Sequence, residues 1–317
     1  MNKLLQISFL PLGIRRLQLM SYHLKELTKI SEENKKKIVV LFLCSGLSPQ
    51  DMAPHRQLLA DNGIINECKF MGHDYMTKIH AAINYCNTPY HCKVDNDIFI
   101  NHHIWNFMID NLHILDLSDT VFVAPLLNTG IPTTDMVVES IATEIEMKNI
   151  HQLCKNFIFG PLWGADYTPL NKTSIYSTEW VSKQFYKEVS LIPHHYKGIH
   201  PTRMSPMLHD LIFDLTKSHF ELFIDKNKYQ FIKTFDYPYY CNSIFFIKTS
   251  KWKTIIDDIS LFHDGFDEVP LNLYCNRNNI PFWFIKNGYA IHPSYNTVSN
   301  MVEIETKYVA LYEKYSI

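Results

Sequence analysis

Tyr90-His91-Cys92-Lys93-Val94-Asp95-Asn96-Asp97-Ile98-Phe99-Ile100 is a strand-forming run that ends in two aspartates and continues into an apolar tail. On an extended backbone, residues two apart point to the same side. Asp95 and Asp97 therefore converge, while Val94 and Ile98 pack the other way. Two carboxylates so close repel each other unless something positive lies between them, and a hard divalent cation with oxygen ligands suits that place. Such a cation can carry a diphosphate on its remaining positions. Aspartates at this spacing also serve solvated turns. This pair instead closes a strand-like segment and is the sole D-x-D of the sequence.

Outward from this stretch, apolar runs alternate with helical periodicities. Residues 5–11 read as a strand, 12–13 as a turn, and 14–30 as a helix with Ile14, Leu17, Met20, Leu24 and Leu27 on one face. Residues 33–37 read as a solvated charge run. Residues 38–44 are apolar throughout, as a strand covered on both faces should be. A helix over 48–62 stops at Asn62-Gly63, a third strand covers 64–70, and a helix over 74–86 leads into the aspartate run. This alternation argues for an α/β fold, a mostly parallel sheet with helices on both faces. Ligands of such sheets lie beyond the carboxyl ends of the strands. Gly13, Arg15, Ser45, Asp95 and Asp97 all fall at such ends.

Further along, a helix near 103–112 precedes a strand over 120–126. From about residue 132 to 235 the character changes. One long helix is expected over 133–156, a loop over 159–177, and helices over 179–189 and 206–217, the last with Ser205 as N-cap and Pro206 at its first position. This block reads as a largely helical insertion over the sheet edge, either a substrate lid or a plain support. A strand over 242–248 follows, then a helix capped by Ser250 and running to 261. His263-Asp264-Gly265-Phe266-Asp267-Glu268-Val269-Pro270-Leu271 opens a helix reaching Arg277. Strands over 281–286 and 289–293 and an amphipathic helix over 297–315 close the chain.

Composition bounds the function. The 317 residues are 46% hydrophobic and 20% charged, the balance of a chain that folds around a core. Thirty basic residues against 32 acidic ones give a net charge of −2, which offers no field for nucleic acid. Seven cysteines show no C-x-x-C pair, which reads as free thiols in a reducing compartment. The N-terminal Met1-Asn2-Lys3-Leu4-Leu5 lacks the long apolar run and cleavage site of a signal peptide and reads as the approach to a first strand. No segment reaches the roughly 20 apolar residues a membrane span requires. The expected location is cytoplasmic, with peripheral association at the inner face of the membrane left open. No P-loop, dinucleotide-binding glycine motif or G-x-S-x-G elbow occurs.

The order of parts resembles the GT-A type of glycosyltransferase, loosely its family 2-like group, over most of residues 5–131 and 240–295. Lys93-Val94-Asp95-Asn96-Asp97 resembles that family's metal motif. Phe266-Asp267-Glu268 resembles its acidic acceptor motif at the start of a helix, and His292 resembles the late histidine that completes metal coordination. Cys44-Ser45-Gly46-Leu47-Ser48 and Pro11-Leu12-Gly13-Ile14 depart from the family's usual turns after the second and first strands.

The resemblance implies a metal-dependent transfer of a sugar from a nucleotide-diphosphate sugar to a carbohydrate or glycolipid acceptor, in cell-surface polysaccharide or glycolipid synthesis. It implies Mn2+ or Mg2+ on Asp95, Asp97 and His292. Pro11, Arg15, Ser45, Lys78, Asp95 and Asn96 then hold the sugar donor. Asp267, or next to it Glu268, takes the acceptor's proton and inverts the anomeric centre. Residues 1–131 form the nucleotide-sugar half, 132–239 the lid, and 240–317 the acceptor side with the closing helix. Two other readings stand beside it: a sugar-phosphate nucleotidyltransferase, and a carbohydrate-binding protein of the same fold without turnover.

Overall fold

In the computed structural model, which describes residues 3–13, 17–128, 133–154, 206–235, 240, 243–261, 267–292 and 301–315, the first half alternates strand and helix as its periodicity requires. Strands β1 (Leu5–Leu10), β2 (Ile38–Cys44), β3 (Ile65–Phe70) and β4 (Tyr90–Asp95) are linked through α1 (Leu17–Thr28), α2 (Glu32–Lys37), α3 (Pro49–Asp61) and α4 (Tyr75–Asn84). All of these strands pair in parallel, in the order β3-β2-β1-β4. The chain continues through α5 (His102–Asp110), β5 (Phe122–Leu127), α6 (Thr133–Ile141), α7 (Glu144–Cys154), α8 (Pro206–Ser218) and α9 (Phe220–Ile224). It ends with β6 (Gln230–Thr234), β7 (Ile244–Lys248), α10 (Thr249–Asp257), α11 (Glu268–Arg277), β8 (Phe282–Ala290) and α12 (Met301–Tyr315).

One eight-stranded sheet results, in the order β3-β2-β1-β4-β7-β5-β8-β6. β7 runs antiparallel to both β4 and β5, and β6 antiparallel to β8, while every other pairing is parallel. This is the α/β arrangement expected, a mostly parallel sheet flanked by helices.

The two faces follow from the two-residue alternation of the strands. Phe9 faces α1, its ring 5.1 Å from that of His23. Gln6 and Ser8 face α4, where the Gln6 amide donates to the Ala82 carbonyl at 2.9 Å. On β4 the same alternation sends His91, Lys93 and Asp95 to the α4 side, with His91 Nε2 2.9 Å from Ser8 Oγ. Ile98 goes the opposite way, and its carbonyl accepts from His23 Nδ1 at 2.8 Å. β3 sits at the edge with alternately open positions, Ile65 and Phe70 among the exposed apolar residues.

Several expectations are corrected. The charge run is a helix, α2: Ser31 caps it by accepting from the Asn34 amide, and Glu32 and Lys37 stand at its favourable ends. Its Asn34 is buried, bonding Asn106 and Asp110 at 3.0 Å each. The single helix over 133–156 is two, because Thr143 and Glu146 form a reciprocal capping box that starts α7. Ser250 lies inside α10, whose N-cap is Lys248. The two strands expected at 281–293 are one strand, β8, whose pairing jumps from Pro125↔Ile285 to Leu126↔Tyr289. Lys286, Asn287 and Gly288 form the bulge, with Asn287 at φ 62°. β6 was not expected; it lies in the stretch assigned to the insertion and extends the sheet beside β8. The loop over 159–177, the helix over 179–189, Ser205 and Arg15 lie outside the described residues.

Candidate functional site

The carboxyl ends of β1, β2, β4, β5 and β8 and the amino end of β7 meet at one edge of the sheet. Leu10 is paired with Asp95, and the Asp95 amide donates to the Ser243 carbonyl at 2.9 Å. The chain then turns, with the Ile98 amide donating back to the Asp95 carbonyl at 3.3 Å. Phe99 and Ile291 exchange both backbone hydrogen bonds at 2.9 Å, which fastens this turn to the end of β8. The clamp brings two residues 195 apart in sequence side by side: His292 Nε2 lies 3.2 Å from Asp97 Oδ2, and both side chains are buried. The His292 amide is held by Asn128 Oδ1 at 2.7 Å, and Asn128 Nδ2 donates to the Tyr308 hydroxyl at 3.0 Å.

Asp95 has a different neighbour. Lys93 Nζ lies 2.8 Å from Asp95 Oδ1, with the lysine side chain 1% exposed and the aspartate 28%. The positive charge beside Asp95 is thus built into the strand two residues earlier. Burial, followed among the raising influences by the Asp97 and Asp267 charges, pushes Asp95 up to about 7, and Lys93 pulls the other way. Burial also works to lower Lys93, but Asp95 and Asp267 more than reverse it, so the ammonium is held above its ordinary range. The Tyr75 ring covers this ammonium at 5.5 Å, and the Tyr75 hydroxyl donates to Asp267 Oδ1 at 2.9 Å.

Asp267 is 1% exposed and precedes α11, yet its carboxylate makes no capping bond to that helix. Its Oδ2 is buried with no hydrogen-bond partner among the described residues. Burial raises its pKa, with Lys93 opposing. A buried carboxylate left half unpaired is costly in a resting protein and is characteristic of a group that meets a ligand.

The remaining candidates divide. The Pro11 carbonyl accepts from the Ser45 amide at 3.1 Å, and the fully buried Ser45 donates its hydroxyl to Gly72 at 2.7 Å, so both join the turns that end β1 and β2. Lys78 is buried in α4, not solvated; burial lowers its pKa and Asp95 raises it. Asn96 is buried with Nδ2 unpartnered among the described residues. Glu268 is half-buried in the first turn of α11. Tyr75, Asn128 and the ion-pairing role of Lys93 were missed. Lys93 was readable, because i−2 from Asp95 is the same face of a strand. Tyr75 stands 192 residues from its partner, and no local pattern marks it.

Among the described residues no group of three or more His, Cys, Asp and Glu side chains is gathered as a metal cage. The Asp97–His292 pair nonetheless fits two adjacent ligands of one cation. Two ligand atoms at about 2.1 Å from a metal, set at a right angle, stand about 3 Å apart. A Mg2+-like ion commonly takes only one or two carboxylates and fills its sphere with water and phosphate oxygens.

No family model and no curated protein matches the sequence. Among solved structures, the apo form of the glycosyltransferase GlyE from Streptococcus pneumoniae is similar at 12% identity, over 39% of this chain and 29% of that one, with a TM-score of 0.30. S. aureus TarS 1–349 is similar at 12% identity, over 59% of this chain and 49% of that one, with a TM-score of 0.31. The 4-diphosphocytidyl-2C-methyl-D-erythritol synthase of Anaerococcus prevotii matches at 7% identity over 97% and 96% of the two chains, with a TM-score of 0.44. All lie below 0.5, and the chemistry of the site is read from its own side chains. No helix among the described residues is long and apolar enough to cross a membrane.

Proposed function

We propose that this chain is a glycosyltransferase that moves a sugar from a nucleoside-diphosphate donor to a hydroxyl of a carbohydrate or glycolipid acceptor, with inversion. The observation that carries the reading is Asp267: a buried carboxylate that does not cap its helix and whose Oδ2 has no partner among the described residues, joined through Tyr75 and Lys93 to Asp95 at the end of β4. In the proposed step the acceptor oxygen attacks the anomeric carbon, the bond from that carbon to the diphosphate breaks, and Asp267 Oδ2 takes the hydroxyl proton. Burial raises its pKa, which makes it a stronger proton acceptor than an exposed carboxylate. Lys78, buried beneath the same edge, adds positive charge toward the diphosphate, and Asn96 Nδ2 offers a hydrogen bond.

Asp97 and His292, with Asp95 beside them, would hold a Mn2+ or Mg2+ ion, which when bound neutralises the departing nucleoside diphosphate. The clamp between Phe99 and Ile291 holds Asp97 Oδ2 and His292 Nε2 3.2 Å apart, which supports this reading.

The test is a panel of uridine-, guanosine- and thymidine-diphosphate sugars with Mn2+, reading nucleoside diphosphate released. Turnover is expected on at least one, and Asp267→Asn should lower kcat by about 10²–10⁴-fold while nucleoside diphosphate binding stays unchanged. Release of pyrophosphate from a nucleoside triphosphate and a sugar phosphate would replace this reading with nucleotidyl transfer. A mutant as fast as the wild type would remove Asp267 from the mechanism.

A further inference from the structure

Asp267 has a partner that the sequence pattern does not mark. Tyr75 opens α4, and its helix start is fixed by Asp74, whose Oδ2 accepts from the Thr77 amide at 2.6 Å. The Tyr75 side chain therefore leaves a locked turn, with its ring against the Lys93 ammonium and its hydroxyl 2.9 Å from Asp267 Oδ1. The Asp267 carboxylate spans this contact on one oxygen, and the other is buried with no partner among the described residues. A carboxylate at the end of a freely turning side chain would spread its two oxygens over many orientations. A hydrogen bond to one oxygen from a rigid helix start fixes where the second one points.

We infer that Tyr75 is the positioning residue for the proton-accepting carboxylate: its hydroxyl binds Asp267 Oδ1 so that Oδ2 faces the acceptor hydroxyl. The inference rests on the glycosyl-transfer reading above. Burial, and after it the Asp267 charge, raise the Tyr75 phenol well above its ordinary range, so it stays a donor throughout the working pH range. Lys93 completes the arrangement from the other side, since its ammonium faces the ring and ion-pairs with Asp95. Tyr75 thus links the acceptor-side carboxylate to the strand that carries the donor-side ones, across 192 residues of chain.

Tyr75→Phe removes the hydroxyl and keeps the ring over Lys93. With the uridine- and guanosine-diphosphate sugars and Mn2+, it should lower kcat about ten- to a hundredfold, the range of a hydrogen bond to a charged group. KM for the sugar donor and calorimetric affinity for uridine or guanosine diphosphate should be unchanged. In the Asp267→Asn background the same substitution should cost less than twofold, because two residues acting through one group are not additive. A purely structural Tyr75 would instead act equally in both backgrounds, or lower the melting temperature without changing kcat at 25 °C; either result overturns the inference. Wild-type turnover with an unaffected Tyr75→Phe enzyme sinks this inference alone. Absence of wild-type turnover on every sugar donor sinks the transfer reading and takes this inference with it.

Discussion

At the residue scale, the site is a contest between like charges, and Lys93 weighs most in it. Asp95, Asp97, Asp267 and Glu268 crowd one edge of the sheet, with Lys93 and Lys78 the buried cations beside them, and Lys93 is the one ion-paired to Asp95. Lys93→Met is expected to destabilise the protein by about 3 kcal/mol at pH 8, the low end for breaking a buried pair because Asp95 keeps part of its surface in water. The loss should shrink toward pH 5, since Asp95 takes its proton near 7 and removing the ammonium then no longer strands a buried carboxylate there. Urea unfolding at the two pH values checks this; an unchanged midpoint at pH 8 contradicts it. The convergence of Asp95 and Asp97 was legible from their spacing alone. What that spacing concealed was the origin of the compensating charge, which a same-face lysine supplies for one aspartate and a distant histidine accompanies for the other.

At the element scale, most strands and helices of the first half were readable because their apolar periods are unbroken. The exceptions have physical causes. Gln230-Phe231-Ile232-Lys233-Thr234 is an edge strand, and its mixed polarity matches water on its open side, so it carries no buried-strand signature. The Thr143–Glu146 box was legible as a helix start but lay inside a longer helical period that masked it. Asn287-Gly288 reads as a turn between two strands, and β8 absorbs it as a bulge instead. Gly288 is required there, since a Cβ would meet Ile285 Cγ2 at 2.7 Å. Gly288→Ala should therefore cost about 1–3 kcal/mol through overpacking and disturb the end of β8 from which His292 projects. Chemical denaturation gives the first quantity; a wild-type stability would show that Ile285 yields freely.

At the scale of the whole molecule, the buried histidines set the acid limit. His23 lies between two fixed partners: its Nδ1 donates to the Ile98 carbonyl and its Nε2 accepts from the Trp105 indole at 3.2 Å, which leaves no place for a second proton. Burial lowers its pKa to about 4, and that of His91 to about 3. Both pKa values lie below the unfolded value of about 6.5, so their contribution is complete above that pH and is lost as pH falls toward the folded values. Each ring gives a slope of up to about 1.4 kcal/mol per pH unit. Asp95, raised to about 7, opposes with one such slope, so the three groups leave a net loss on acidification from pH 6.5 to about 4.5. Calorimetry at pH 6.5, 5.5 and 4.5 should show the melting temperature falling, with His91→Gln flattening the fall. A His91→Gln profile as steep as the wild type's would mean that the His91 ring is not buried neutral.

The reversed strand β7 also dictates when the two halves of the sheet can be joined. β4 and β5 are separated by fewer than 30 residues in sequence, yet they do not pair with each other; each is zipped to β7, which begins at Ile244. While the chain emerges from the ribosome, the β3-β2-β1-β4 ribbon can assemble early, but its β4 border stays raw until residue 248 has appeared. Through that interval the nascent ribbon exposes the unsatisfied border of β4, and β5 has neither of its partners, a state open to the wrong strand as readily as to the right one. β7 joins the ribbon to β5 beside Asp95, and β8, the last strand made, then seats β5 and β6, so the proposed catalytic edge takes shape only once the bulk of the polypeptide has been made.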